Sequence, residues 1–407
     1  MNPLLPLHEA AGAETQPYDA VEIVSTFGQP QLEYAAIRKA AALLDLPHRG
    51  VIEVTGRDRH KFLNNLISNQ TYDLSAKTPL AAGSVAYAFL LNLKGRVVLD
   101  LNVIELGDRT LLELDARFVD MLAKLLDRYL FAEQVKITPR PDLHELAIYG
   151  PRAHEVVSST AGGVSSADPV PSPTGTPTGS AELTPPAYAV NLFDHPVVIW
   201  RDDVCGVPGY HLIVPASAAA EIWQSLLARH GEPYAVNKRL LRAAGWAAFN
   251  ACRIEAGRPL FGVDFETAEP SVPGKKPDPA DAEADTKARG VLPAETGLFD
   301  KAVSVTKGCY LGQEVVARLH ARGQNVARKL VGLRVEGDAL PIAGQPVLDE
   351  KDNPVGVVTS STMSPVLSDA AIALATVRKS HFAPGTAVRV PAEGAIRVAR
   401  VVTLPFV

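Results

Sequence analysis

One stretch of the chain concentrates residue types that do chemistry. Residues 303–323 read V-S-V-T-K-G-C-Y-L-G-Q-E-V-V-A-R-L-H-A-R-G, with Cys309 as a candidate nucleophile and Lys307 two places before it. A thiol beside a cation and near a helix N-terminus loses its proton more readily, because both stabilise the thiolate. Gly308 and Gly312 bracket the cysteine and would let the backbone turn sharply or a ligand come close. Against this stands the commonest fate of a free cysteine, burial as a small hydrophobe, and spacing alone does not choose between the two. A second candidate is Asp100 in V-V-L-D-L-N-V, an acid amid apolar strand residues. Such a carboxylate either faces solvent or is placed for function.

The elements that must position these groups follow from periodicity. Val303, Val305 and Thr306 predict a short strand. From Gly312 onward Val315, Val316 and Leu319 recur at helical spacing. Glu314 sits in the first turn, and Arg318, His320 and Arg322 lie toward the end, an order that suits the helix dipole. Cys309 is therefore expected on a strand-to-helix turn.

Upstream, residues 1–30 read as a loosely structured lead. Residues 31–145 read as an N-terminal α+β subdomain, with helices over 31–44, 58–68 and 117–130. Strands are expected at 50–55, 84–93, 96–105 and 110–114, with Lys94-Gly95 as a hairpin turn. Residues 146–325 read as a second α+β subdomain, with helices over 217–229 and 236–249. It is interrupted at 158–187 by a tract of Ser, Thr, Pro and Gly, and at 266–292 by one of Pro, Ala, Asp and Lys; both are expected to be disordered. Residues 326–407 carry six short strands between turn residues and predict a small all-β C-terminal barrel. Strands and helices alternate with hairpins, and there is no glycine-rich phosphate loop, so the class is α+β rather than doubly wound.

Bulk composition narrows the partners. A chain of 407 residues exceeds one simple core. The formal charge of −5 gives no global basic field, which argues against direct DNA binding. The three cysteines are far apart with no C-x-x-C, so neither a disulfide framework nor a zinc site is indicated. They also fall short of the usual four ligands of an iron–sulfur cluster. No apolar run could span a bilayer and no signal peptide is visible, so a cytoplasmic monomer without membrane partners is expected.

K-G-C-Y-L-G-Q-E at 307–314 resembles the signature of the YgfZ family. These are folate-binding proteins related to the T protein (aminomethyltransferase) of the glycine cleavage system, and they are implicated in iron–sulfur cluster assembly or repair and in tRNA modification. L-D-L-P-H-R-G-V-I-E-V-T-G at 44–56 and L-L-N-L-K-G-R-V-V-L-D-L at 90–101 are similar to N-terminal motifs shared by YgfZ and T proteins. R-I-E-A-G at 253–257 resembles another shared motif, and S-S-T-M-S-P-V-L at 360–367 a T-protein C-terminal pattern.

The resemblance implies a GcvT-like α+β fold, with two α/β subdomains around a central folate channel plus the C-terminal all-β barrel. It implies tetrahydrofolate or a derivative as cofactor. Asp100 would stand beside the reacting folate nitrogen and steer proton transfer; Tyr87 would contact folate and Arg49 line the channel. Arg253 and Glu255 would pair to hold the channel wall or touch the ligand. Two departures from the T protein matter. His211 stands where the pterin-edge glutamate is expected, and Phe249 where an arginine is expected.

The implied function is a folate-binding accessory protein that supports iron–sulfur enzymes, including tRNA-modifying ones. Cys309 would be its thiolate and Lys307 the activator. Client or carrier proteins would be partners, and a cluster would touch Cys309 only transiently, if at all. Two alternatives stand beside it: a tetrahydrofolate-dependent aminomethyltransferase in which Asp100 does acid–base work, and a non-catalytic binding module. Whether the protein is an enzyme is left open by the residues.

Overall fold

The computed structural model describes residues 2–160, 187–235, 238–270 and 290–407. Its body is two antiparallel-rich sheets, and alternation along their strands fixes what each face meets. The first sheet runs in the order Lys136–Pro139, Arg49–Thr55, Thr110–Asp115, Val97–Glu105, Val85–Leu91. One of its faces is apolar throughout. Ile52, Val54, Leu101, Leu112 and Leu114 pack there against Phe62 and Leu63 of the helix Arg59–Asn64 and against Leu122, Leu125 and Leu126 of Val119–Arg128. The opposite face is mixed. Val51, Val85, Ile104 and Leu111 meet Trp200 and Ile213 of the second sheet, and polar residues occupy the rest.

The second sheet has the order Tyr188–Leu192, His195–Arg201, Gly209–Pro215, Leu143–Tyr149, Ala41–Asp45, Leu241–Ala243, with only the last pair parallel. The helix Ala219–His230 closes its outer face through Ile222, Trp223 and Leu226. The two sheets thus bury apolar residues outward against helices and turn one partly polar face each toward the other.

The six predicted C-terminal strands form a closed barrel in the order Arg328–Val335, Ala370–Arg378, Pro354–Ser364, Pro346–Leu348, Ala387–Ala392, Ala395–Val402. Its interior alternates Val331, Leu333 and Val335 with the small Ala371, Ala373 and Ala375, a mixture that fills a narrow barrel.

Three expectations from the sequence are corrected. Residues 1–30 are no loose lead: a helix at Leu5–Ala10 lies on the second sheet, with Asn2 and His8 each 2.9 Å from Asp45 Oδ2, and a hairpin of Glu14–Tyr18 with Val21–Thr26 packs on the helix Trp246–Glu255. The 303–306 strand does not form. The helix Phe299–Ala302 ends there, and Ser304 N–H is taken by the Ser68 carbonyl at 3.0 Å, so the backbone is spent on a loop contact. The helix expected over 236–249 is a short strand, Leu241–Ala243, followed by a helix at Trp246–Glu255; Gly245 breaks the run.

The two low-complexity tracts lie mostly outside the described residues, at 161–186 and 271–289. Their described flanks are ordered. Residues 158–160 finish the helix Ala153–Thr160, and Ala187 N–H donates to the Gly83 carbonyl at 2.6 Å. Ala268 N–H donates to the Val97 carbonyl at 2.8 Å, and Val97 N–H to the Val291 carbonyl at 2.8 Å. Among the described residues no helix is long and apolar enough to cross a membrane.

Candidate functional site

The polar stripe on the inner face of the first sheet is built by strand register. Tyr87 lies opposite Asn102, and Asn102 opposite Glu113; Asp100 is two residues from Asn102 and so shares its face. Arg49, Tyr87, Asp100, Asn102 and Glu113 therefore point into the space between the sheets. The second sheet answers with Glu145, His211 and Trp200.

The Tyr87 hydroxyl donates to Asp100 Oδ2 at 2.8 Å, while Asp100 Oδ1 is buried with no partner in the chain. Burial raises the Asp100 pKa against the pull of Arg49 and the Tyr87 hydrogen bond. Tyr87 is itself pushed well above the ordinary tyrosine range by burial and by the Asp100 charge. Its ring is flanked by cations, with Arg258 at 5.5 Å and Lys301 at 5.1 Å from the centroid. Both cations hold Asp202, at 3.1 and 2.7 Å. Arg49 is bonded through Nε to Glu113, whose other oxygen accepts from Asn102 at 2.8 Å.

His211 reaches this space but has no free ring nitrogen. Nδ1 lies 2.6 Å from Glu145 Oε1, Nε2 lies 2.8 Å from the Tyr149 hydroxyl, and the ring stacks on Trp200 with centroids 4.2 Å apart. Burial drives its pKa down to about 4, so the imidazole is neutral. Phe249 is buried in an apolar cluster with Tyr149, Cys205 and Cys252.

Arg253 and Glu255 do not pair with each other. Arg253 is fully buried and bonded to Asp264, which also takes the Thr359 hydroxyl at 2.6 Å and that of Ser360. Glu255 is bonded to Arg38, to the Tyr34 hydroxyl at 2.9 Å and to the Ser364 hydroxyl at 2.5 Å. On a helix, residues two apart point to different sides. These side chains serve the seam between the body and the barrel, away from the stripe.

Cys309 is exposed, unlike the buried Cys205 and Cys252. Its loop leads into the helix Gln313–Ala321, which begins at Gly312 in a left-handed conformation, φ +79°. A Cβ at Gly312 would collide with the Asn92 carbonyl of the Lys94-Gly95 hairpin, so glycine is required where helix and hairpin meet. The activating role expected of Lys307 is corrected. Its amine is buried and donates to the carbonyls of Asn64 at 2.6 Å, Ile67 at 2.6 Å and Asn69 at 2.9 Å, which uses all three N–H groups. Burial lowers its pKa toward about 7, while the three carbonyl dipoles favour the charged form. Lys307 clasps the cysteine loop to the turn after Arg59–Asn64.

Sequence reasoning missed Asn102, Glu113, Glu145, Trp200, Arg258 and Lys301. For Asn102 and Glu113 the signal was present, as polar residues at period two beside Asp100 and Asp115. Two cavities lie away from the stripe, one of about 380 Å³ beside His320, Lys329 and Phe382 and one of about 690 Å³ on the barrel rim beside Arg334 and Arg400.

A fold of two facing sheets and a terminal barrel, with an unpartnered acid between the sheets, defines a class that the comparisons identify. The chain belongs to the glycine cleavage T-protein family: residues 4–271 match the GCVT N-terminal domain and residues 328–407 the glycine cleavage T-protein C-terminal barrel domain. Curated relatives span nearly all of it. The aminomethyltransferase of Saccharopolyspora erythraea is 28% identical over 99% of this chain and 97% of its own length. That of Bacillus subtilis is 27% identical over 99% and 98%. The crystal structure of glycine cleavage system aminomethyltransferase T from Bartonella henselae matches with a TM-score of 0.76 over 100% of this chain and 97% of that one, at 23% identity, and shares the fold.

Proposed function

We propose that this chain binds tetrahydrofolate between its two sheets and acts, through the exposed Cys309, as an accessory protein for iron–sulfur enzymes. The observation that carries the folate reading is Asp100. A buried carboxylate oxygen without a partner is costly unless a ligand completes it, and Oδ1 is such an atom, with Tyr87 fixing the other oxygen. Tetrahydrofolate would supply ring nitrogens able to carry a one-carbon unit. Asp100 would accept a hydrogen bond from a folate N–H, and its raised pKa suits proton exchange nearer neutrality. Tyr87 and Phe89, with ring centroids 5.6 Å apart, offer an aromatic wall, and Arg258 with Lys301 favour an anionic tail.

The exposed thiol in K-G-C-Y-L-G-Q-E favours the accessory role. The positions read as the T-protein glutamate and arginine support it: His211 is neutral and occupied, and Phe249 is packed in the core. A second reading, tetrahydrofolate-dependent aminomethyl transfer, is favoured by the full-length match to aminomethyltransferases. In that reading Asp100 does the proton transfer and Cys309 is incidental.

One set of measurements separates the two. Purified protein is titrated with 5-formyltetrahydrofolate, assayed for aminomethyl transfer from a lipoyl-bound donor, and tested in cells lacking it for recovery of iron–sulfur enzyme activity. The accessory role expects folate binding, no transfer, and rescue by wild type but not by Cys309→Ala. Transfer activity lost in Asp100→Asn and kept in Cys309→Ala assigns the second reading. No folate binding at all removes both.

A further inference from the structure

The polar stripe and the cysteine loop hang on the same short turn. Val85–Leu91, which carries Tyr87, is the edge strand of the first sheet, so its outer backbone groups need partners from elsewhere. Residues 67–69 supply them. Ile67 bridges Leu90, Ser68 N–H donates to the Phe89 carbonyl at 2.8 Å, and Phe89 N–H donates to Ser68 Oγ at 2.8 Å. One residue further, Asn69 Nδ2 donates to the Tyr87 carbonyl at 2.8 Å.

On its other side the turn holds the segment that leads to Cys309. The Ser68 hydroxyl donates to the Ala302 carbonyl at 2.6 Å, and the Ser68 carbonyl accepts from Ser304 N–H at 3.0 Å. Leu311 N–H donates to the Asn65 carbonyl at 3.2 Å, and the Lys307 amine is spent on the carbonyls of Asn64, Ile67 and Asn69. Asn69 is where the two sides meet. Its Nδ2 also donates to the Lys301 carbonyl at 3.0 Å, and its own carbonyl holds Lys307, two residues from the thiol. Its Oδ1 is taken by Gln70 N–H at 2.8 Å, so the side-chain amide is fixed in orientation. The two backbones that Asn69 bridges belong to residues whose side chains meet on the stripe, with Lys301 Nζ 5.1 Å from the Tyr87 ring centroid.

We propose that Asn69 is the positioning residue that joins the stripe to the thiol, so that a filled stripe fixes the Cys309 loop and an empty one leaves it looser. A ligand that completes Asp100 Oδ1 restrains Tyr87, whose hydroxyl holds the other oxygen of that carboxylate. Restraint of the Tyr87 and Lys301 backbones passes through Asn69 to Lys307 and the loop, as a loss of motion rather than a change of shape. The ligand rests on the folate reading above; the route rests on the hydrogen bonds alone. Cys309 is then presented in one arrangement chiefly by the loaded protein. By linkage, a partner that fixes the loop strengthens folate binding by the same factor.

Amide hydrogen exchange on the full chain tests it. Saturating 5-formyltetrahydrofolate should slow exchange at Ser304 and Leu311 by about fivefold or more in wild type. The reference is Ala244, whose N–H donates to the Leu43 carbonyl at 2.9 Å in the second sheet and reports stabilisation of the fold at large. In Asn69→Ala, saturated with the same ligand, the slowing at Ser304 and Leu311 should shrink to that at Ala244. Asn69→Asp keeps the size and the Gln70 bond but has no N–H to donate, and should behave alike. Slowing at the two loop amides no greater than at Ala244 in wild type would overturn the proposal. So would selective slowing that survives both substitutions. Loss of all folate binding in both variants would place Asn69 in the ligand site and end the positioning role. Should wild type bind no folate, the folate reading fails, and Tyr87→Phe takes the ligand's place by releasing Tyr87 from Asp100. That change should speed exchange at Ser304 and Leu311 when Asn69 is present and leave it unaltered in Asn69→Ala; equal effects in both backgrounds, or none, would remove the route.

Discussion

The Tyr87 hydroxyl stands 2.8 Å from Asp100 Oδ2 and leaves Oδ1 of the same carboxylate without a partner. Half of this acid is therefore committed to the chain and half is held out for something else. Asp100→Asn keeps the shape but replaces one acceptor with a donor, so a folate N–H would meet an N–H. Binding of 5-formyltetrahydrofolate is expected to weaken by about tenfold or more, equivalent to about 1.4 kcal/mol. Tyr87→Phe should weaken it less, because Oδ1 survives, and should raise the Asp100 pKa further by removing a bond that favours the charged form. Isothermal titration of the two variants checks the order. Equal affinity for Asp100→Asn and wild type would detach Asp100 from the ligand.

Lys307 makes a different prediction from the one its spacing suggested. Its three N–H groups are spent on the carbonyls of Asn64, Ile67 and Asn69. Lys307→Met would leave these three acceptors buried and unfilled, at a cost of about 1–3 kcal/mol for each group left unsatisfied. The loss should appear as a lower denaturation midpoint and as faster amide exchange at Ser304 and Leu311, which hold the cysteine loop to the Ser68 and Asn65 carbonyls. The rate of Cys309 alkylation at fixed pH should change little, since the amine is turned away from solvent. A large fall in that rate with unchanged stability would restore the activating role.

These two sites show what one sequence makes legible. The barrel strand Ala387–Ala392 was readable because it alternates an apolar interior with a more exposed face, as in Val388 and Val390 against Arg389. Asp100 was visible as an acid in an apolar strand, but its direction was not. The alternation Asp100–Asn102 is the same whether that face meets solvent or another sheet, and only tertiary packing decides. Lys307 was misread because a lysine two residues from a cysteine is close in sequence, whereas its partners lie more than two hundred residues away. Arg253 and Glu255 fail as a pair for a local reason, since two steps along a helix turn side chains apart. The Glu145–His211 contact across two strands has no local signal at all.

Arg253 and Asp264 form a fully buried ion pair that also receives hydroxyls from the barrel strand Pro354–Ser364. Removing one partner leaves an uncompensated buried charge, which typically costs about 3–5 kcal/mol. Arg253→Met should therefore destabilise the whole protein and release the barrel, seen as protease cleavage between the body and residues 328–407. Folate affinity per folded molecule should be retained, because the pair lies off the stripe. Selective loss of folate binding in a stably folded Arg253→Met protein would place Arg253 in the ligand site instead.

The buried histidines set the acid limit. Burial pushes His211 down to about 4 and His48 to about 3, from an ordinary value of about 6.5. The unfolded chain then binds more protons than the native one below about pH 6.5, so stability should fall as pH drops through this window and reach its full loss below the native values. Urea midpoints measured from about pH 6.5 to about pH 4 should decline, and His211→Asn should flatten part of the slope. Burial raises the Glu145 pKa to about 7, a contribution of opposite sign that is lost as pH rises, so wild-type stability is expected to pass through a maximum between the two effects. A midpoint that rises steadily as pH falls would show that neither histidine is held neutral.

Thiol reactivity offers a direct reading of the cysteine geometry. Cys309 is exposed, whereas Cys205 and Cys252 are fully buried, and burial raises the Cys205 pKa well above the ordinary thiol value. Only the thiolate reacts with disulfide reagents, and it must also be reachable. Native protein should therefore react rapidly at one thiol per chain, and the two others should respond only in denaturant, at the rate of unfolding. Cys309→Ala should abolish the fast phase and leave stability within about 0.5 kcal/mol of wild type, as expected for an exposed side chain. That variant then separates chemistry from fold: lost rescue of iron–sulfur enzymes with unchanged folate affinity assigns the sulfur a working part, and full rescue leaves Asp100 as the centre of whatever the protein does.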